Sequence, residues 1–195
     1  VGPLRSWPGV IARVLFPLSA VVAVAVLGGI QYVSASQPMR ASMDSARYYS
    51  DVADADTGTK LPQPYTGKGV IVGVVDQGLD FTHPNFYDKV GKAYRIKQVW
   101  DQTSPYSKAE YRTEEELLDA ACSFDSDVNT HGTHVAGIAA GGGFDTPYQG
   151  VANESDMILV ATTMQNSDIV DGVDYIFKES ERLGRSCVVY LSLGD

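Results

Sequence analysis

Two residues in this chain have the types and surroundings that acid–base chemistry needs. Asp76 closes the apolar run Gly69-Val70-Ile71-Val72-Gly73-Val74-Val75, and His131 stands in Thr130-His131-Gly132-Thr133-His134-Val135-Ala136-Gly137. An imidazole takes up a proton near neutral pH, and a carboxylate against it fixes the tautomer and supports the charge that develops. Such a pair is the base half of nucleophilic hydrolysis. A third polar stop, Ser192-Leu193-Gly194, ends the apolar run Val188-Val189-Tyr190-Leu191. Each feature alone has a plainer reading. An Asp after a strand commonly opens a turn, and a lone His is often a packed core residue. Asp76 and His131 are 55 positions apart (131 minus 76), so only a fold can join them.

The elements that must deliver these groups are legible. The run 69–75 is β-branched and apolar throughout, the pattern of a strand buried on both faces and hence of a parallel sheet. Met157-Ile158-Leu159-Val160-Ala161 and residues 188–193 read as two more buried strands. Small residues after His131, ending at Gly141-Gly142-Gly143, predict a close-packed helix with His131 at its mouth. Ile169, Val170, Val173, Ile176 and Phe177 share one helical face, with Asp168, Asp171, Asp174, Lys178, Glu179 and Glu181 opposite, and Gly184 ends the helix. Strand, helix and strand in succession make a βαβ unit. Arg95-Ile96-Lys97-Gln98-Val99-Trp100 alternates like a half-exposed strand. Thr113-Glu114-Glu115-Glu116 is a capping box before Leu117-Leu118.

Composition bounds the function. The net charge of -9 is uneven: residues 1–43 hold Arg5, Arg13, Arg40 and no acid, so the remainder carries -12 (-9 minus +3). An acidic body without a basic stripe excludes nucleic acid as a partner class. Cys122 and Cys187 lack metal-ligand spacing and read as separate, semi-buried thiols. His131 and His134 share a helical face at i, i+3, but Gly132 and Thr133 between them supply no acid, so no metal site is assigned. Residues 14–33 carry no charge, but Pro17, Gly28, Gly29 and Gln31 interrupt them, so no stable membrane span is expected. They suit a signal segment behind Arg5 and Arg13, or a strand–helix–strand with strands at 10–15 and 30–34 and a Ser19-capped helix ending at Gly28. Residues 44–65 read as a surface linker with one helical turn near Met43-Asp44-Ser45-Ala46-Arg47-Tyr48-Tyr49.

The motifs resemble those of the subtilisin-like serine peptidases. Val74-Val75-Asp76-Gln77-Gly78-Leu79-Asp80, with His83-Pro84 downstream, resembles the Asp motif of that family. Asn129-Thr130-His131-Gly132-Thr133-His134-Val135-Ala136-Gly137 matches its His motif almost letter for letter, in the right chain order. The resemblance spans residues 66–195. It implies a three-layer α/β fold: a mostly parallel central sheet flanked by helices, truncated here at its carboxyl side. It implies Asp76 as orienting carboxylate, His131 as general base and Ser192, Leu193 and Gly194 as a substrate-binding strand. His134 is expected beneath the site as a structural residue. Polypeptides are the implied substrates, and the chemistry needs no cofactor.

The resemblance carries departures. Gln77 stands where many relatives have Ser or Thr. Asn85 stands where family members often place a calcium-binding Asp; a side-chain carbonyl also ligates calcium, so a structural calcium stays open. Residues 89–126 read as an insertion holding the capping-box helix. The family's oxyanion Asn and nucleophilic Ser, in a Gly-Thr-Ser motif, follow the Ser-Leu-Gly strand, and this sequence has no such motif. The expectation is therefore the amino-terminal part of a secreted endopeptidase, inactive as these 195 residues. The other reading is a catalytically dead peptide-binding module. Residues 1–43 are expected to be the tail of the enzyme's own pro-domain, or a signal segment.

Overall fold

Four β-branched side chains, Ile71, Val72, Val74 and Val75, are buried in one strand, β3 (Ile71–Asp76), all six residues of which are buried. Burial of each such side chain supplies about 1.5–3 kcal/mol, which makes β3 the natural centre of a sheet. The computed structural model describes residues 43–105 and 109–193, with 5–6, 12–13, 20 and 23. The chain divides into two units, residues 1–40 and 41–195. In the first, β1 (Arg5–Ser6) pairs antiparallel with β2 (Ala12–Arg13). β2 falls inside the expected strand at 10–15. The Ser19 cap, Gly28 and the strand at 30–34 lie outside the described residues.

The second unit holds a five-stranded sheet. β3 pairs in parallel with β6 (Asp156–Ala161) on one side and with β7 (Cys187–Leu191) on the other. β6 pairs in parallel with β4 (Ile96–Asp101), and β5 (Ala109–Tyr111) adds antiparallel to β4, giving the order β5-β4-β6-β3-β7. Side chains alternate between the faces. Val72 and Val74, with Met157, Leu159 and Ala161, face α3 (Glu114–Ala120) and α4 (His131–Ala140). Ile71, Val75, Ile158 and Val160 face α5 (Asn166–Arg182). Helices therefore cover both faces, the three-layer α/β arrangement expected.

Several elements differ from their sequence reading. Residues 43–57 form two helices, α1 (Met43–Tyr49) and α2 (Val52–Thr57), rather than a linker with one turn. Arg47 pairs with Asp56 and donates to the carbonyls of Gln149 and Gly150, while Gln149 and Asn153 donate to Asp56. Segment 89–126, read as an insertion, holds the capping-box helix and also supplies β4 and β5, with β4 inside the sheet between β5 and β6. β4 buries both faces rather than one: Val99 packs with Leu117 of α3, and Gln98 lies on the α5 side, bonded to Glu179. β7 is an edge strand among the described residues: Cys187 and Val189 turn toward α5, while Val188 and Tyr190 stay exposed. The capping box is present, Thr113 accepting from Glu116 N and Glu116 accepting from Thr113 N. Gly184, at φ 65°, ends α5 in a Schellman turn, with Arg185 N donating to Ser180 O and Gly184 N to Glu181 O.

The buried face of α5 is rotated from its hydrophobic pattern. Gly172, Ile176, Glu179 and Ser180 are buried, while Val170 and Phe177 are exposed. The cause is close packing: a Cβ on Gly73 of β3 would lie 2.4 Å from Ile176 Cγ2. Ile176 thus fits only over a strand position without a side chain. Glu179 follows it inward and is held by Arg112 at 2.9 Å and Arg182 at 2.7 Å. Burial raises its pKa, but hydrogen bonds from Arg112, Arg182 and Gln98 outweigh that and lower it from the ordinary 4.5 to about 2.

Two outcomes follow. Gly73→Ala should lower stability by about 1–3 kcal/mol through overpacking, and in denaturant melts it should cost less in an Ile176→Ala background, which removes the clashing Cγ2. Glu179 has a depressed folded pKa, so its contribution is present above 4.5 and lost as pH falls toward 2. Glu179→Gln should therefore flatten the fall of Tm with acidification across that range while lowering Tm at neutral pH.

Candidate active site

Asp76 is the last residue of β3, at the carboxyl end of an interior strand, where open α/β sheets place functional groups. It is only 2% exposed. Its Oδ1 accepts from Gln77 N at 2.7 Å and faces His131 Nδ1 at 2.7 Å. A carboxylate has no hydrogen to donate, so Nδ1 carries the proton and Nε2 keeps a lone pair. That is the tautomer of a general base. Asp76 Oδ2 is buried with no hydrogen-bond partner among the described residues. The His131 side chain is 50% exposed, so the ring is open to solvent.

His131 reaches Asp76 because α4 begins directly on the loop after β3. The first N–H groups of a helix lack partners within it. Here Gly132 N donates to Gln77 O at 2.5 Å and Thr133 N to Gly78 O at 3.0 Å. Thr133 Oγ1 also donates to Gly78 O and accepts from Asp80 N. Such contact is backbone to backbone and leaves no room for side chains. A Cβ on Gly78, which sits at φ 72°, would lie 2.1 Å from Asn129 O, and one on Gly132 would lie 2.6 Å from Gln77 O. Asp125 adds a further tie, accepting from Gly78 N at 2.8 Å through Oδ2 and from Ser123 through Oδ1. Asp101, at the end of β4, has its pKa raised by burial and by the charge of Asp125, against hydrogen bonds from Thr103 and Phe124 that lower it.

The remaining expected residues fall as follows. The β3–β7 register ends with Val75 opposite Leu191, the residues that precede Asp76 and Ser192. Ser192 is half-buried, Leu193 is exposed, and Gly194 lies outside the described residues. His134 is exposed, not beneath the site, because a spacing of three returns it to the solvent side with His131. His83 uses Nδ1 to accept from Asn85 N and caps a short 3-10 turn, a structural role. Cys122 and Cys187 are free, half-buried thiols. Asn85 Oδ1 accepts from Gly143 N. Beside it the buried Arg95 guanidinium donates to the carbonyls of Asn85, Tyr87, Ala140 and Ser155. Protein donors thus take the oxygens a hard cation would need, and the residues around Asn85 do not fit a calcium ion.

Four contributors were given no role by the sequence: Gln77, noted there only as a departure from the family, Asn129, Asp125 and Thr133. Asn129 carried a local sign, being an Asn just ahead of a helix.

This sheet, with an aspartate at an interior strand's carboxyl end bonded to a histidine at a helix start, is the architecture of subtilisin-like peptidases. The sequence pattern of the subtilase family matches residues 67–194, and the chain belongs to that family. It is 29% identical to serine protease AprX of Bacillus subtilis over 160 residues, covering 78% of this chain and 30% of AprX. It is 32% identical to the subtilisin-like protease PopC of Myxococcus xanthus over 141 residues, covering 68% of this chain and 26% of PopC. Among solved structures, the CspB protease of Clostridium perfringens is similar with a TM-score of 0.58 and 27% identity, over 75% of this chain and 33% of that one. The chain therefore spans about a third or less of each of these relatives. Among the described residues no helix is long and apolar enough to cross a membrane.

Gly78→Ala should break the docking of α4. The positive φ and the backbone clash together should cost more than about 1 kcal/mol in unfolding experiments, and the Asp76–His131 contact should be lost from NMR spectra.

Proposed function

We propose that this chain carries the orienting carboxylate and the general base of a serine endopeptidase. The observation that supports this most directly is the 2.7 Å contact between His131 Nδ1 and the buried Asp76 carboxylate. In the proposed reaction a serine Oγ attacks the peptide carbonyl carbon while its proton passes to His131 Nε2. Asp76 stabilises the imidazolium without taking its proton. His131 then gives that proton to the departing amine, and the resulting acyl ester is cleaved by water with His131 again as base. The nucleophilic serine and the oxyanion Asn belong, in this reading, to sequence not among these 195 residues, so the chain alone is inactive. Ser192, Leu193 and Gly194 pair with an extended polypeptide substrate by adding it as a strand. Residues 1–43, basic and apolar, fit the tail of a pro-domain or a signal segment of an exported enzyme.

The test is active-site labelling with a fluorophosphonate. The product of the full open reading frame should label and cleave peptides, and Asp76→Asn within it should lower kcat about 10⁴-fold. The 195-residue chain should not label. Labelling of the short chain would overturn the assignment of the serine. Peptide binding without labelling in the full product would make the protein a binding module.

A further inference from the structure

The hydrogen bonds around Asp76 and His131 close on themselves. Gln77 N donates to Asp76 Oδ1 at 2.7 Å, and His131 Nδ1 meets that same oxygen at 2.7 Å. Asn129 Nδ2 donates to Gln77 Oε1 at 3.2 Å, and His131 N donates to Asn129 Oδ1 at 2.8 Å. Asp76, Gln77, Asn129 and His131 thus form a ring in which the catalytic contact is one link. One backbone N–H fixes both amides. His131 N–H must meet an oxygen, so Asn129 turns Oδ1 to it and Nδ2 to Gln77, and Gln77 in turn must present Oε1. Either amide flipped would set donor against donor.

The ring needs its particular side chains. Asn129 must accept at one end and donate at the other, which a carboxylate cannot do. Gln77 must reach Asn129 from the neighbouring loop; a serine hydroxyl ends two atoms nearer the backbone. The sequence departure at Gln77 is thus matched by a bond that a short hydroxyl side chain would forgo. The side-chain link is also separable from the fold, because Gly132 N and Thr133 N hold α4 on the loop through backbone carbonyls alone.

Resting on the proposed role of Asp76 and His131, we propose that Gln77 and Asn129 are positioning residues for His131. They hold its backbone at the point where Nδ1 meets Asp76, and so keep Nε2 as the free base. Neither exchanges a proton with substrate.

The test uses the 195-residue chain labelled with ¹⁵N-histidine, read at pH 8, above the ordinary imidazole pKa of about 6.5. The ring nitrogen shifts of His131 give its tautomer ratio. The wild-type chain should show Nδ1–H, and Asp76→Asn should abolish that preference. Gln77→Ala and Asn129→Asp should each shift the ratio toward Nε2–H by about three- to tenfold, the scale of one hydrogen bond. The two remove the acceptor and the donor of one bond, so Gln77→Ala should add nothing in the Asn129→Asp background. Gln77→Glu keeps the acceptor and should restore the Nδ1–H preference. Dispersed amide spectra identify folded variants, and Gln77→Ser replaces Gln77→Ala if the latter unfolds. A ratio within about twofold of wild type in both single variants, with Asp76→Asn still effective, overturns this proposal alone. An unresponsive Asp76→Asn, or an Nε2–H wild type, overturns the reading of the pair and this proposal with it.

Discussion

The site depends on one contact between two pieces of backbone. The loop that follows β3 offers the carbonyls of Gln77 and Gly78, and the start of α4 offers the N–H groups of Gly132 and Thr133. Each side needs the other, because buried or half-buried peptide groups without partners cost about 1–3 kcal/mol each. Two glycines permit the approach, and any larger residue at either position meets a carbonyl oxygen. The imidazole stands on the first residue of the docked helix and the carboxylate on the residue before the loop. Main-chain geometry therefore brings the two side chains within reach, and their rotamers close the contact to 2.7 Å.

The sheet supplies the rigid base for that contact. β3 is flanked by parallel strands on both sides, so Asp76 sits at an interior position and cannot fray. α4 lies close to the sheet because Gly132, Ala136 and Ala140 are on its buried face. On the opposite face, α5 seats Ile176 over Gly73. Two buried charges tie the periphery to these layers. Arg95 draws together four backbone carbonyls, and burial lowers its pKa without discharging a guanidinium whose donors are so occupied. Glu179 gathers Arg112 and Arg182 across the α5 face. Paired charges of this kind add little net stability but are costly to break, so they define which elements meet.

Electrostatically, the pair is asymmetric in a useful way. Asp76 is buried and its charge has few protein partners, whereas His131 is half open to solvent. The carboxylate thus lies on the inner side of the imidazole while the outer side stays accessible. This division of burial follows from topology: a strand end lies within the sheet layer, and a helix start lies at its rim.

Much of this was legible in the residues. The apolar runs announced β3 and β6, the capping box announced α3, and the order and wording of the Asp76 and His131 motifs announced the family. These features are local, since periodicity, caps and motif spacing act over a few residues. What failed was long-range. The exposure of Val170 and Phe177, and the burial of Glu179, were decided by the missing side chain at Gly73 and by Arg112, 67 positions from Glu179. His134 went to solvent and Asn85 to Gly143 because of what α4 and its neighbours placed beside them. The chemical parts, Asp76 and His131, were thus determined by the sequence itself. Their contact, and the ring through Gln77 and Asn129, exist only in the tertiary structure, because hydrogen bonds between segments some 50 residues apart carry no local sequence pattern.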